Sequence, residues 1–136
     1  MKKKLTQSLE DYLEAILILE EKNRVARVKD IAAHLDVKMP SVTVALKLLR
    51  DKNLIAYEKN SFIALTNEGL EVAKTTRKKH EILTNFFSTF LNITKEAEEI
   101  ACQFEHIIDL NTANKFEKLI SYFKHHNINS IDEINN

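Results

Sequence analysis

The sequence predicts a mainly α-helical fold that begins with a winged helix-turn-helix unit. The chain of 136 residues contains one glycine and one proline, so few residues interrupt a helix. Apolar residues recur at alternating steps of three and four, which is the period of a helix. Two β-prone runs, residues 54–58 and 62–66, are separated by three residues, which is the spacing of a small hairpin.

Three helices are predicted ahead of this hairpin. The apolar period indicates a first helix from residue 5 to about 21 and a short second helix over Val28–Leu35. The only proline, Pro40, suits the first turn of a helix, where its missing N–H has no intrahelical partner. We therefore expect a third helix from about residue 40 to 52, separated from the second by a tight turn.

Three further helices are predicted after the hairpin. Thr66 can cap a long helix that extends through residue 91. Thr94 can cap a second helix over residues 95–109, in which Glu96 and Glu98 place negative charge near the helix N-terminus. The last helix is expected from about residue 112 to 124, before a polar tail.

Composition restricts the cellular setting. At 44% hydrophobic and 29% charged residues, the chain can bury a core. It has no apolar run of the roughly 20 residues that a transmembrane helix needs, and its first residues lack the apolar stretch of a signal peptide. The single cysteine cannot form an internal disulfide, which agrees with a reducing compartment. We expect a cytoplasmic protein.

The charge is distributed unevenly along a chain of zero net charge. Residues 1–80 contain 16 Lys and Arg against 11 Asp and Glu, whereas residues 81–136 contain 4 against 9. Residues 22–59 alone contain 9 basic and 4 acidic side chains. The front half could therefore attract a polyanion, although a solvated basic surface would give the same count.

Helix, tight turn, helix and hairpin is the order of a winged helix-turn-helix, whose second helix enters the major groove of DNA. Short or polar side chains near the start of that helix suit base contacts, Val44 suits a thymine methyl group, and basic side chains further along suit phosphates. The candidate DNA contacts are Lys38, Pro40, Ser41, Thr43, Val44, Lys47 and Arg50, with Lys59 and Asn60 at the wing tip. The alternative is an ordinary helix pair whose lysines only face solvent.

The segment C-Q-F-E-H suggests a metal site. Residues three and four apart share a helix face, so Cys102, Glu105 and His106 could converge on one cation. A thiolate, a carboxylate and an imidazole suit iron, manganese, cobalt, nickel or zinc, and do not suit calcium. The alternative is a free cysteine packed beside two polar groups.

Two other predicted helices offer candidate ligands. Asp11 and Glu14 are three residues apart and share one face of the first helix. His80 lies on the same side of the long helix as Leu83 and Phe87. Each observation alone is compatible with ordinary surface charge, but three helices with ligands at helical spacing are a rarer coincidence.

Several separated motifs resemble those of the diphtheria toxin repressor family of metal-dependent regulators. They are L-E-D-Y-L-E-A-I, D-I-A-x-x-L-x-V-x-x-P-S-V-T, L-T-x-x-G, R-K-K-H-E-I-L and C-Q-F-E-H, in the same order and spacing across residues 5–124. The chain is most similar to the short manganese-transport-regulator branch, which lacks an extra C-terminal barrel domain.

The resemblance implies a homodimer, not an enzyme, that binds a divalent metal, Mn²⁺ or Fe²⁺, between its first, long and fifth helices. The loaded dimer would bind pseudo-palindromic operator DNA and repress metal-uptake genes. A DNA-binding domain over residues 1–66 and a metal-binding and dimerisation domain over residues 67–136 follow from the same resemblance. The matched metal-ligand positions are Asp11, Glu14, His80, Cys102, Glu105 and His106. Glu98 lies at a position where iron-responsive members of the family can have an ancillary histidine.

Cys102 departs from the manganese branch, although Asp11 and Glu14 match it. A thiolate is softer than the carboxylate expected at that position, so it disfavours a binuclear manganese site and favours iron, cobalt or zinc. Two other functions are compatible with the residues alone. One is a winged-helix regulator that senses oxidants through Cys102; the other, less well supported, is a small metallohydrolase.

Overall fold

A computed structural model describes residues 5–58 and 62–134 of the chain. The chain folds as two compact units, residues 1–74 and 75–136. Among the described residues, no helix is both long enough and apolar enough to cross a membrane.

The first unit begins with three helices that follow the prediction closely. Helix α1 (Gln7–Asn23) starts after Thr6, whose hydroxyl accepts a hydrogen bond from the Leu9 N–H at 3.3 Å. Helix α2 (Val28–Leu35) ends at Asp36, which adopts a left-handed conformation. Helix α3 (Met39–Asp51) carries Pro40 in its first turn, as expected.

A short hairpin follows α3 and forms the wing. Strand β1 (Ile55–Ala56) pairs antiparallel with β2 (Ala64–Leu65), so that Ile55 lies opposite Leu65. Ala26, ahead of α2, forms an isolated bridge with Ile63 and ties the hairpin to the rest of the unit. The predicted wing-tip residues 59–61 lie outside the described residues.

One apolar core holds α1, α2, α3 and the hairpin together. Its largest members with no exposed surface come from the inward faces of the three helices: Leu13, Ile16, Ile31, Val42, Leu46 and Leu49. Since α3 buries Val42, Leu46 and Leu49, its other face is left for solvent or a ligand.

The next helix starts against the end of α3. Helix α4 (Asn67–Asn85) is capped by Thr66, as predicted, because the Thr66 hydroxyl accepts a hydrogen bond from the Gly69 N–H at 3.1 Å. That hydroxyl also donates to the Asn53 carbonyl at 2.8 Å. Gly69 is the only glycine, and a Cβ at this position would lie 1.9 Å from the Leu54 carbonyl oxygen. The close approach requires a residue without a side chain.

The described part of the second unit contains the rest of α4 and four later helical elements. The predicted long helix changes to a π-helix at Phe86–Phe90, and Asn92 then takes a left-handed conformation that redirects the chain. Helix α5 (Ala97–Phe104) is followed by α6 (Leu110–His125) and a 3₁₀ turn at Ile131–Glu133.

The predicted limits of α5 were wrong at both ends. The N-cap is Glu96 and not Thr94, and the helix ends at Phe104 and not at residue 109. The early end has a physical cause at the next helix. Asp109 caps α6 by accepting a hydrogen bond from the Thr112 N–H at 2.7 Å, which requires an extended backbone at Asp109. Glu105 and His106 therefore lie in the turn between α5 and α6.

Aromatic side chains form the core of the second unit. Phe86, Phe90 and Ile120 are buried, and both α5 and α6 pack against the π-helix. The Phe86 ring lies 4.8 Å from that of Phe116, centre to centre, in an edge-to-face arrangement. These contacts fix α6 and the turn before it relative to the end of α4.

We predict that Gly69→Ala destabilises the first unit. Alanine would normally stabilise a helix position by roughly 0.5–1 kcal/mol relative to glycine. Here the added methyl group overlaps the Leu54 carbonyl, so we expect a loss of about 1–3 kcal/mol in urea unfolding. Glu68→Ala, at the exposed neighbouring position, is the control. A Gly69→Ala protein as stable as the parent would contradict the close approach.

Candidate metal centre

A buried carboxylate lies at the centre of the candidate metal site in the second unit. Glu105 follows the last residue of α5 and is only 1% exposed. Its Oε2 lies 2.8 Å from Nδ1 of His80, which projects from α4. Its Oε1 lies 3.2 Å from Nε2 of His106, which is also buried. Two imidazoles therefore flank one carboxylate.

Cys102 completes a compact set of donors with these residues. One ligand atom each from Cys102, Glu105 and His106 lies within 4.8 Å of the others. Cys102 is half-buried, and it lies on α5 one turn before the Glu105–His106 pair. The sequence prediction that these three residues converge agrees with this geometry, although the turn after α5, and not one continuous helix, brings them together.

The histidines change the electrostatics of Glu105. Burial by itself would raise the pKa of its carboxyl group, but hydrogen bonds from His106 and His80 and their positive charge lower the pKa below its usual value. The carboxylate is therefore ionised at neutral pH and available as a ligand. A cation that binds the carboxylate would compete for it with the two imidazoles.

Glu98 lies at the edge of this cluster. Its Oε1 is 3.9 Å from Nε2 of His80, but its side chain is 86% exposed. An exposed carboxylate at this distance adds a weak, screened interaction. This position permits Glu98 to act as an additional metal ligand but does not require it to do so.

The two acidic candidates from the first helix belong to the other unit. Asp11 and Glu14 lie on α1, three residues apart and both half-buried, so they share one face as predicted. Their participation in the metal site stays a prediction.

The donor set suits a transition-metal ion. Donors that share one ion at roughly 2.0–2.3 Å lie at most about 4.6 Å apart, so the observed spacing needs little adjustment. Sulfur, carboxylate oxygen and imidazole nitrogen are the ligand types that iron, zinc and cobalt accept together. The residues of the second unit therefore fit a divalent transition metal.

One polar side chain next to this site was not identified from the sequence. Lys79 precedes His80 on α4, is only 7% exposed, and donates a hydrogen bond to the Ile108 carbonyl at 3.1 Å. No sequence pattern predicts this contact, because the acceptor is a backbone atom 29 residues away.

The outer face of α3 presents most of the predicted DNA contacts to solvent. Exposed side chains include those of Lys38, Pro40, Ser41, Val44, Lys47 and Arg50, and Val44 is 60% exposed. Thr43 is half-buried, and its hydroxyl donates to the Met39 carbonyl at 3.2 Å, which weakens its case as a base contact. The exposed apolar side chains of Met39 and Leu48 were not among the predicted DNA contacts. Leu48 lies one turn after Val44 on the same helix, so it belongs to the same exposed face.

Two protein-family descriptions match the chain, one over its first part and one over its second. Residues 4–62 match the family described as "Iron dependent repressor, N-terminal DNA binding domain". Residues 66–130 match "Iron dependent repressor, metal binding and dimerisation domain".

Individual relatives are regulators of transcription. The chain is 34% identical to the HTH-type transcriptional regulator MntR of Shouchella clausii over 133 residues, which cover 95% of this chain and 90% of that protein. It is 33% identical to MntR of Bacillus subtilis over 123 residues, covering 88% and 84%. The structure of the manganese regulator SloR superposes with a TM-score of 0.72 at 27% identity, over 87% of this chain. The chain spans only 55% of the SloR chain.

These matches confirm the family and fold expected from the sequence motifs. The description of the second family also names metal binding and dimerisation. The chain belongs to the iron-dependent repressor family, the family of the diphtheria toxin repressor, in its MntR-like branch, and it is a homodimeric, metal-dependent transcriptional repressor that binds operator DNA.

Proposed function

We propose that this repressor senses Fe²⁺ or Mn²⁺ through His80, Cys102, Glu105 and His106, and that it controls genes for metal uptake. The observation that carries the proposal is the buried Glu105 carboxylate, with two imidazoles at hydrogen-bonding distance and the Cys102 thiol nearby. Burying a carboxylate is costly unless charges or a metal compensate it. Asp11 and Glu14 of α1 are proposed to complete the ligand set.

The thiol of Cys102 favours iron over manganese within this proposal. Manganese prefers oxygen ligands, whereas thiolate and imidazole together suit iron, and also zinc or cobalt. The relative SloR is described as a manganese regulator, so the metal has to be decided by measurement on this protein. None of the relatives named above is described as an oxidant sensor, and oxidation of Cys102 is not part of the proposal.

The protein's own residues explain how an ion would alter the site. Glu105 lies within hydrogen-bonding distance of His80 and His106. These three residues and Cys102 would hold the divalent ion, each imidazole through a nitrogen lone pair. The ion would supply positive charge that neutralises the carboxylates. The conformation in which all ligands converge then gains free energy over the others, and only this difference can shift DNA binding.

We propose that the loaded dimer places two copies of α3 in successive major grooves of a pseudo-palindromic operator. Val44 would contact a thymine methyl group, while Lys47 and Arg50 would contact phosphates. The protein would act in the cytoplasm. It would catalyse no reaction, since the metal ion would serve only to hold its ligands in one arrangement.

The dimer contact is proposed to involve α6. Leu119 and Tyr122 are three residues apart on this helix and are 42% and 58% exposed, respectively. Exposed apolar side chains on one face are typical of a protein interface. Residues 66–130 match a dimerisation domain, which supports a second copy of this chain as the partner.

We predict that His106→Ala and Glu105→Gln lose metal-dependent DNA binding and retain the fold. Each change removes one proposed ligand, so in saturating Fe²⁺ or Mn²⁺ the affinity for the protein's own upstream DNA should fall at least about tenfold. Anaerobic gel-shift titration measures this, and circular dichroism checks helix content. Glu99→Ala removes an exposed carboxylate from α5, the helix that precedes these two residues, and is the control. Variants with unchanged DNA affinity in saturating metal would refute the assignment of these ligands.

We predict that Lys47→Ala weakens DNA binding for all sequences alike. Each lost phosphate contact reduces the slope of log K against log salt concentration by about 0.9, which gives roughly 1.8 for a dimer. Titrations at several salt concentrations measure the slope. Lys74→Ala, an exposed lysine on α4, should leave it unchanged. An unaltered slope for Lys47→Ala would mean that this lysine only faces solvent.

A further inference from the structure

Lys79 is a buried lysine whose position next to the candidate metal site requires an explanation. Lysine side chains are almost never fully buried unless they are paired. Lys79 is 7% exposed, and its Nζ donates to the Ile108 carbonyl at 3.1 Å. Its neighbour Lys78 has the usual environment, with a half-exposed side chain 3.4 Å from the half-exposed Glu117 carboxylate.

The acceptor of the Lys79 hydrogen bond belongs to the turn that carries two proposed ligands. Residues 105–108 connect α5 to the N-cap of α6, and they include Glu105 and His106. The Ile108 carbonyl lies outside both helices, and as a backbone acceptor it needs a donor, which the Lys79 ammonium group supplies. The ammonium group of Lys79 therefore stabilises one conformation of this turn.

Two consecutive residues of α4 hold opposite ends of the same turn. Lys79 contacts the carbonyl of its last residue, Ile108, and His80 contacts the carboxylate of its first residue, Glu105. The two contacts fix the position and the rotation of the turn relative to α4. The separation between the His80 ring and the Glu105–His106 pair depends on both.

We propose that Lys79 is a positioning residue for metal binding, which holds the 105–108 turn in the arrangement that lets Glu105 and His106 share an ion with His80. The inference rests on the proposed metal site. Lys79 does not contact the ion in this role. It acts on affinity by reducing the number of turn conformations in which the ligands are dispersed.

The direction of the effect distinguishes positioning from simple electrostatics. Loss of a positive charge near a cation site should by itself raise affinity for the cation. Loss of a positioning contact should lower it, and supporting hydrogen bonds around metal ligands typically contribute about 10- to 100-fold in affinity. We therefore expect Lys79→Met to bind metal about 10- to 100-fold more weakly than the parent.

The test is an anaerobic Co²⁺ titration of the full-length reduced protein against a competing chelator, followed by the visible absorption of the bound ion. Lys78→Met removes the same charge from the preceding position of the same helix and should leave affinity and spectrum close to those of the parent. Lys79→Arg keeps a cationic donor and should recover most of the affinity. Lys79→Gln is the second variant, in case Lys79→Met does not fold. Circular dichroism and thermal unfolding of the metal-free proteins report on the fold.

Each outcome decides between the alternatives. Weaker Co²⁺ binding in a folded Lys79 variant, with an altered spectrum and recovery in Lys79→Arg, supports the proposal. Reduced thermal stability with unchanged Co²⁺ affinity would show a purely structural lysine and overturn it. Failure of both Lys79→Met and Lys79→Gln to fold would also overturn it, because the residue would then support the whole unit. Absence of Co²⁺ binding to the parent itself would refute the proposed metal site, which is a separate result.

Discussion

The pairing of one buried carboxylate with two imidazoles is the interaction on which the second unit depends. Glu105 has almost no exposed surface, and His80 and His106 compensate its charge from two directions. Because His80 belongs to α4 and Glu105 to the turn after α5, this pairing joins elements that are distant in sequence. The same carboxylate and imidazole groups are among the ligands that we propose for the metal ion.

The first unit achieves its arrangement by different means. Apolar packing of α1, α2 and α3 buries one face of α3 and leaves the other exposed, and the close contact between Gly69 and Leu54 sets where α4 begins. Because α3, the proposed recognition helix, is fixed by this core, it loses little conformational entropy when it binds DNA. In a homodimer, regulation therefore has to act on the placement of two such helices and not on their internal structure.

The elements with a strong local signal could be predicted from the sequence, and those that depend on competing local signals could not. The apolar period, Pro40 and the Thr66 cap closely predicted α1 to α3 and the start of α4, whereas the change to a π-helix at Phe86 was missed. The end of α5 was missed because Asp109, as the cap of α6, requires extended backbone where the apolar period still favours helix. The convergence of Cys102, Glu105 and His106 followed from their spacing, whereas Lys79 was missed because a backbone carbonyl has no sequence signature.

We propose that Cys102 binds the regulatory ion together with carboxylate and imidazole ligands. X-ray absorption spectroscopy of the reduced protein loaded with one equivalent of Fe²⁺ tests it most directly, with Cys102→Ser as the matched sample. We expect one sulfur scatterer at about 2.3 Å beside oxygen and nitrogen at about 2.0–2.2 Å, and no sulfur in Cys102→Ser. A parent spectrum with oxygen and nitrogen scatterers alone would contradict it.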